Sequence, residues 1–157
     1  VATPHGSPFR RFRIWLIRLV ALLLLGPLAL ILVFRFVPPP VTPLMLLRAA
    51  QGHGIEQEWV SQGMITPALA AAVIAAEDNL FCQQSFGFDV AALRGQIDAW
   101  SAGRRPRGAS TITMQTAKNV FLWPGRDPFR KVLEAWLTPQ IALLWPRQRV
   151  LEVYLNI

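Results

Sequence analysis

Twelve consecutive residues, Gly108-Ala109-Ser110-Thr111-Ile112-Thr113-Met114-Gln115-Thr116-Ala117-Lys118-Asn119, combine groups that could hold an anion. Read as a helix, the segment sets Thr111, Gln115 and Lys118 on one face, because positions i, i+4 and i+7 stack along one stripe. Gly108 and Ser110 stand where a cap would open it. Backbone N–H groups at a helix start, hydroxyls close by and a lysine one or two turns on suit a phosphate-bearing ligand. A polar surface helix would carry the same residues.

The second candidate is a carboxylate pair. Thr66-Pro67 opens a helix with an N-cap and a first-turn proline, and Ala68 to Ala76 follows, apolar on every side and expected to be buried. Glu77 and Asp78 stand at its end. Desolvation there would raise a carboxyl pKa toward the range of a general base near neutral pH. A helix-end carboxylate bonded to loop amides is the structural alternative. Glu134 follows Arg130 and Lys131 in an otherwise apolar segment, where an ordinary i,i+4 surface pair is the structural alternative. Cys82 is the single cysteine, so no internal disulfide can form, and beside Phe81 it is expected to be a small buried hydrophobe. His5 and His53 lack companions at metal-ligand spacing. No GxGxxG, Walker loop, GxSxG or internal repeat is present.

These groups need elements to position them. Ile14 to Phe36 is long and apolar enough to cross a bilayer core of roughly 30 Å, with Gly26 and Pro27 inside it. Arg18 and Arg35 can snorkel to the headgroups. Arg10, Arg11 and Arg13 precede the span without an acid, which predicts a cytoplasmic N-terminus and an external remainder. A cleaved signal peptide would have a shorter core and a small-x-small site, and none precedes Pro38-Pro39-Pro40. Of sixteen Lys and Arg, six lie at or before Arg48 with no acid among them, and the other ten face all nine acids. The basic balance therefore belongs to the anchor and its flanks, and nucleic acid is excluded as the partner it implies. The basic loop Arg104-Arg105-Pro106-Arg107 is either a solvated turn or a contact for anionic lipid or pyrophosphate.

Beyond the span, Pro38 to Pro43 is a stiff exit, and Gln51 to Gly63 reads as a loop with one short element. Further helices are expected from Val90 to Trp100, Ser110 to Val120, Pro128 to Leu144 and Arg147 to the end. The class is mainly α. The organisation is a basic tail (1–13), an anchor (14–36), a membrane-proximal linker (37–65) and a domain over 66–157.

Four segments then fall into a recognisable order. Ala76-Glu77-Asp78-Asn79-Leu80-Phe81, Gly108 to Asn119, Arg130-Lys131-x-x-Glu134 and Arg149-Val150-Leu151-Glu152-Val153-Tyr154-Leu155-Asn156 resemble four motifs of the peptidoglycan glycosyltransferases, membrane-bound enzymes that polymerise lipid II. The resemblance covers roughly Thr66 onward and implies a lysozyme-like, mostly helical lobe behind one transmembrane helix of the bacterial inner membrane, facing the periplasm. It implies that Glu77 is the catalytic base and Glu134 a second essential carboxylate. Asp78, Phe81, Thr111, Gln115, Lys118, Asn119, Arg130 and Lys131 would bind substrate, with Lys118 helping to hold the donor pyrophosphate. It further implies a divalent cation, magnesium or manganese, with no organic cofactor. The expected partners are lipid II, the growing glycan strand, membrane lipid and cell-wall synthesis or division proteins.

The chain departs from the family pattern in places. Gln84 stands where a histidine is usual, Met114-Gln115 where two glutamines are usual, and one extra residue precedes Gly87. The sequence stops where family members continue for several helices, so a C-terminally truncated copy is expected, with Val150, Leu151, Val153 and Leu155 exposed. A non-catalytic, anchored lipid II binder or cell-wall scaffold is the alternative, and a generic anchored interaction protein is a more distant one. A glycan hydrolase could also use two carboxylates, but would leave Lys118 and the anchor unexplained.

Overall fold

A side-chain cap opens five helices of this chain, three of them together with a first-turn proline. A computed structural model describes residues 8–104 and 108–157, so Arg105 to Arg107 of the basic loop, and the start of the basic tail with His5, lie outside the described residues. Among the described residues there are seven α-helices and no strand beyond one bridge between Ser85 and Phe88. The mainly α class is as expected.

Helix α1 (Pro8–Phe34) contains the candidate span. At 27 residues it extends about 40 Å, long and apolar enough to cross a membrane. Helix α2 (Pro43–Ala50), which the sequence reading did not anticipate, starts at Thr42, whose hydroxyl accepts from Met45 N at 3.3 Å. One 3-10 turn (Gln62–Met64) precedes α3 (Pro67–Glu77), where Thr66 accepts from Leu69 N at 3.3 Å. Asp89 caps α4 (Val90–Ser101), Thr111 caps α5 (Ile112–Phe121) and Asp127 caps α6 (Pro128–Leu144), each through its third following N–H. Helix α7 (Arg147–Asn156) follows Pro146.

The core forms where α5 packs against both α6 and α7. Ile112, Ala117 and Val120 meet Leu137, Ile141, Val150 and Val153, all buried. Burial of each large aliphatic contributes about 1.5–3 kcal/mol, which is what holds α5 in place. Val150 and Val153 are thus buried, and Leu151 and Leu155 half-buried, against the expected exposure of α7. Their i, i+3 spacing turns one face of α7 onto α5.

Three further expectations change. Helix α3 has no buried residue; only Val73 and Ile74 reach the core. Uniform hydrophobicity says that a helix can be buried but not which face is, and short alanine side chains reach little. Cys82 is exposed rather than buried, because the turn after Asp78 directs Phe81 inward instead. Arg35 does not snorkel; its guanidinium donates to the Leu144 carbonyl at the end of α6.

The last carbonyls of a helix lack intrahelical partners. Near the end of α1, Trp145 Nε1 donates to the Ile31 carbonyl at 2.7 Å. The Arg149 guanidinium donates to Phe34 O at 2.9 and 3.0 Å and to Val37 O at 2.8 Å. The apolar helix is therefore pinned to the helical lobe by side chains from its last two elements.

Gly87 shows why one residue type is required. Its φ is +75°, and a Cβ there would lie 2.9 Å from the Cγ2 atoms of both Thr113 and Thr138. Only glycine admits that backbone and that approach of α5 and α6.

Candidate active site

Helix α3 ends at the carboxylate pair, and the two acids part ways. Asp78 is 8% exposed and forms the C-cap of α3. Its carboxylate accepts from Ile112 N, the first amide of α5, at 3.0 Å, and from Gln84 Nε2. Burial raises its pKa above the usual 3.8, opposed by the Ile112 and Gln84 hydrogen bonds, while the charge of Asp89 adds to the rise. Glu77 is exposed, contrary to the desolvated pair expected, because the tip of α3 is not in the core. Its Oε2 accepts from Gln115 Nε2 at 3.1 Å, and Gln115 Oε1 in turn accepts from Tyr154 OH at 3.4 Å. Burial and the nearby Glu77 charge both raise the Tyr154 pKa. The exposed carboxylate is thus aimed by α5 and braced by α7.

Helix α5 is mostly buried, which rules out the polar surface helix. Thr111 is not on its face but at its cap. Its hydroxyl accepts from Met114 N at 3.1 Å and donates to Gly87 O at 2.7 Å, so it is committed to structure. Glu77, Asp78, Thr111, Ser110 and Asp89 border an open cavity of about 550 Å³. Lys118 and Asn119 lie further along α5 and border a second cavity of about 320 Å³ with Arg126 and Arg130. The expected single face is therefore divided, with Gln115 turned to the carboxylate and Lys118 to a cationic pocket.

Glu134 is not part of an ordinary surface pair. It is 2% exposed, and its Oε2 meets Arg130 Nη1 at 2.8 Å, with Arg130 itself 7% exposed. Lys131, half exposed, donates to the other Glu134 oxygen and to Ser110 Oγ at 3.2 Å. Spacing alone gives the same i,i+4 pair on a surface or in a core; the packing of α5 onto α6 decides it. Glu134 borders neither cavity, and it joins them: Arg130 faces the cationic one, while Lys131 reaches Ser110 at the rim of the other. Phe81 is buried in the core beside Gln84.

Sequence reasoning missed Tyr154 and Arg126. The first had a signal, since Val150, Val153, Tyr154 and Ile157 follow the i, i+3, i+4, i+7 spacing of one helix face. Arg126, in the turn before α6, had none.

Among the described residues no three of His, Cys, Asp and Glu come together to hold a metal ion. The pocket beside Lys118 is lined by Lys118, Asn119, Arg126 and Arg130 and offers no carboxylate ligand of its own.

An arrangement of one oriented, exposed carboxylate and a separate cluster of Lys and Arg can accept a proton at one point and stabilise an anionic leaving group at another. Comparison with known proteins shows the family. The transglycosylase family model matches residues 45–157. The chain is 48% identical over 147 residues to the biosynthetic peptidoglycan transglycosylase of Caulobacter vibrioides, covering 94% of this chain and 64% of that protein. It is 43% identical over 157 residues to that of Bdellovibrio bacteriovorus (96% and 62%). Against that of Rhodospirillum centenum it is 49% identical over 148 residues (90% and 63%). The chain thus spans a little under two thirds of the length of these curated relatives.

Proposed function

The chain belongs to the transglycosylase family, and on that premise we propose that it polymerises lipid II into peptidoglycan glycan strands. The observation that carries the proposal is the exposed Glu77 carboxylate, held by Gln115 from the same helix that turns Lys118 toward Arg126 and Arg130. Glu77 takes the proton of the acceptor sugar's 4-hydroxyl. The freed oxygen bonds to the anomeric carbon of the donor from the face opposite the leaving group. The bond from that carbon to the pyrophosphate breaks with inversion, and its electron pair leaves on undecaprenyl pyrophosphate. Lys118, Arg126 and Arg130 then meet the growing negative charge. Glu134 acts as a positioning residue, since its contacts run to Arg130 and Lys131. Helix α1 anchors the protein in the bacterial inner membrane with its arginine-rich start in the cytoplasm and the lobe in the periplasm.

The test is polymerisation of labelled lipid II by the chain in detergent, with and without magnesium, beside Glu77→Gln. Glycan from the parent and none from the variant supports the transferase. Equal glycan from both removes Glu77 as the base. Lipid II binding with no glycan from either protein leaves a membrane-anchored binder instead, the role the Gln84 departure would fit.

A further inference from the structure

The cationic pocket beside Lys118 does not end in solvent on every side. Leu122 and Trp123 form its wall and are also the wall of an apolar groove of about 630 Å³. The far sides of that groove are Leu24, Pro27 and Leu30 of α1 and Val132, Leu133 and Trp136 of α6. One side is therefore the candidate membrane-spanning helix itself, which sets the groove at the level of the hydrocarbon. Helix α1 is fixed there by the contacts of Trp145 and Arg149 with its last carbonyls, so the groove is a built feature of the fold. At the seam, Trp123 stacks on Phe129 with ring centroids 6.3 Å apart and donates to Asp127 Oδ2 at 3.1 Å.

A cationic pocket opening through shared walls into an apolar groove matches one kind of molecule, an amphiphile with an anionic head and a long hydrocarbon tail. Lys118 and Arg126 give the head pocket two positive charges, and Arg130, whose charge is paired with Glu134, adds a guanidinium to its wall. A phosphodiester headgroup carries a single negative charge, whereas a pyrophosphate carries at least two, so charge complementarity favours the pyrophosphate. We propose that the groove between α1 and α6 binds the polyprenyl chain of the pyrophosphate-linked donor, and that Trp123 is the threshold between head and tail. The inference rests on the lipid-linked donor of the proposed function and adds where its tail lies. Burial of the chain against two helices supplies binding energy remote from the reacting carbon, about 0.8 kcal/mol per CH₂ removed from water.

The experiment uses the full chain in nanodiscs and a polyprenyl pyrophosphate bearing a diazirine midway along its tail. After irradiation, label is expected on peptides covering 23–30 and 129–136, displaced by unlabelled polyprenyl pyrophosphate and not by phosphatidylglycerol. Val132 is 65% exposed, so Val132→Trp fills the groove without disturbing the core. It is expected to lower labelling about tenfold while inorganic pyrophosphate binds as in the parent. Leu24→Trp does the same from the opposite wall. Label spread equally onto Leu16 and Leu19, which lie off the groove, displacement by phosphatidylglycerol, or indifference to both variants overturns the proposal. Failure of the underlying reading is distinguishable: groove labelling without Glu77-dependent glycan sinks the reading alone, and glycan without groove labelling sinks the groove alone.

Discussion

Removing Glu134 is expected to cost more than any surface ion pair would, and the structure says how much. The carboxylate is 2% exposed and holds Arg130 at 2.8 Å, with the Arg130 side chain 8% exposed. Glu134→Leu leaves that guanidinium buried and unpaired, with its Nε already lacking a partner. Breaking a buried pair from one side costs about 3–5 kcal/mol, because the remaining charge keeps its desolvation penalty. Lys131, with 47% of its side chain exposed, can return to water, so Lys131→Met should cost under about 1 kcal/mol.

The double variant Arg130→Met with Glu134→Leu separates the orphaned charge from lost packing. It should recover to within about 1 kcal/mol of the parent, since apolar groups of similar volume often replace a buried pair without loss. Urea unfolding in mild detergent, followed by tryptophan fluorescence, should show the single variant's midpoint about 2 M below the parent and the double variant near it. Glycan formation by the double variant should stay about 10²–10³ below the parent, because Arg130 no longer lines the cationic pocket. A double variant as unstable as the two single losses added together would refute the orphaned-charge argument. Restored activity in the double variant would refute the role given to Arg130.

Two more outcomes follow from the same structure. Asp78 has a folded pKa raised above 3.8, so it binds its proton more tightly folded than unfolded. Its contribution to stability is present below 3.8 and lost as pH rises through the folded value. Asp78→Asn should flatten that decline in a pH series of urea midpoints, with Gln84 turning its unpartnered Oε1 to the new amide. An unchanged slope counts against the assignment. Arg149→Lys keeps the charge but cannot span the Phe34 and Val37 carbonyls together, and should cost about 1.5–3 kcal/mol. Faster proteolysis in the stretch 35–42 is the readout, and unchanged protection would show that α1 is held by its apolar contacts alone.

Helix boundaries were legible wherever local chemistry sets them. Thr66-Pro67 and Asp127-Pro128 place a side-chain acceptor before a residue with no N–H to lose, and both helices start there. Helix α2 has the same signature at Thr42-Pro43, concealed by its place at the end of a proline run. Burial was less legible, because it depends on partners. In α3 every position before Glu77 is apolar, so no stripe marks the inner face, and most of the helix faces outward. In α6, Arg130 and Glu134 read as a surface pair until α5 is laid over them. The acids and bases of the site could be named from their types and order, but its division into two cavities arises only in three dimensions.

That division gives α5 its place in the proposed reaction. Gln115 and Lys118 are three positions apart, about 4.5 Å along the axis of one helix. The first aims the carboxylate that would take the proton, and the second faces the pocket that would receive the leaving pyrophosphate. Ile112, Thr113, Met114, Thr116, Ala117 and Val120, between and around them, are buried, so the helix cannot turn or slide without repacking the core. The spacing between base and leaving-group cations is therefore set by the covalent repeat of a rigid element. The Lys131 bridge from Glu134 to Ser110 ties α6 to the segment leading into α5. On the proposed mechanism, bond formation and bond breaking occur at one carbon, and the groups serving each must keep a fixed separation. A buried helix carrying one of these groups on each side does that.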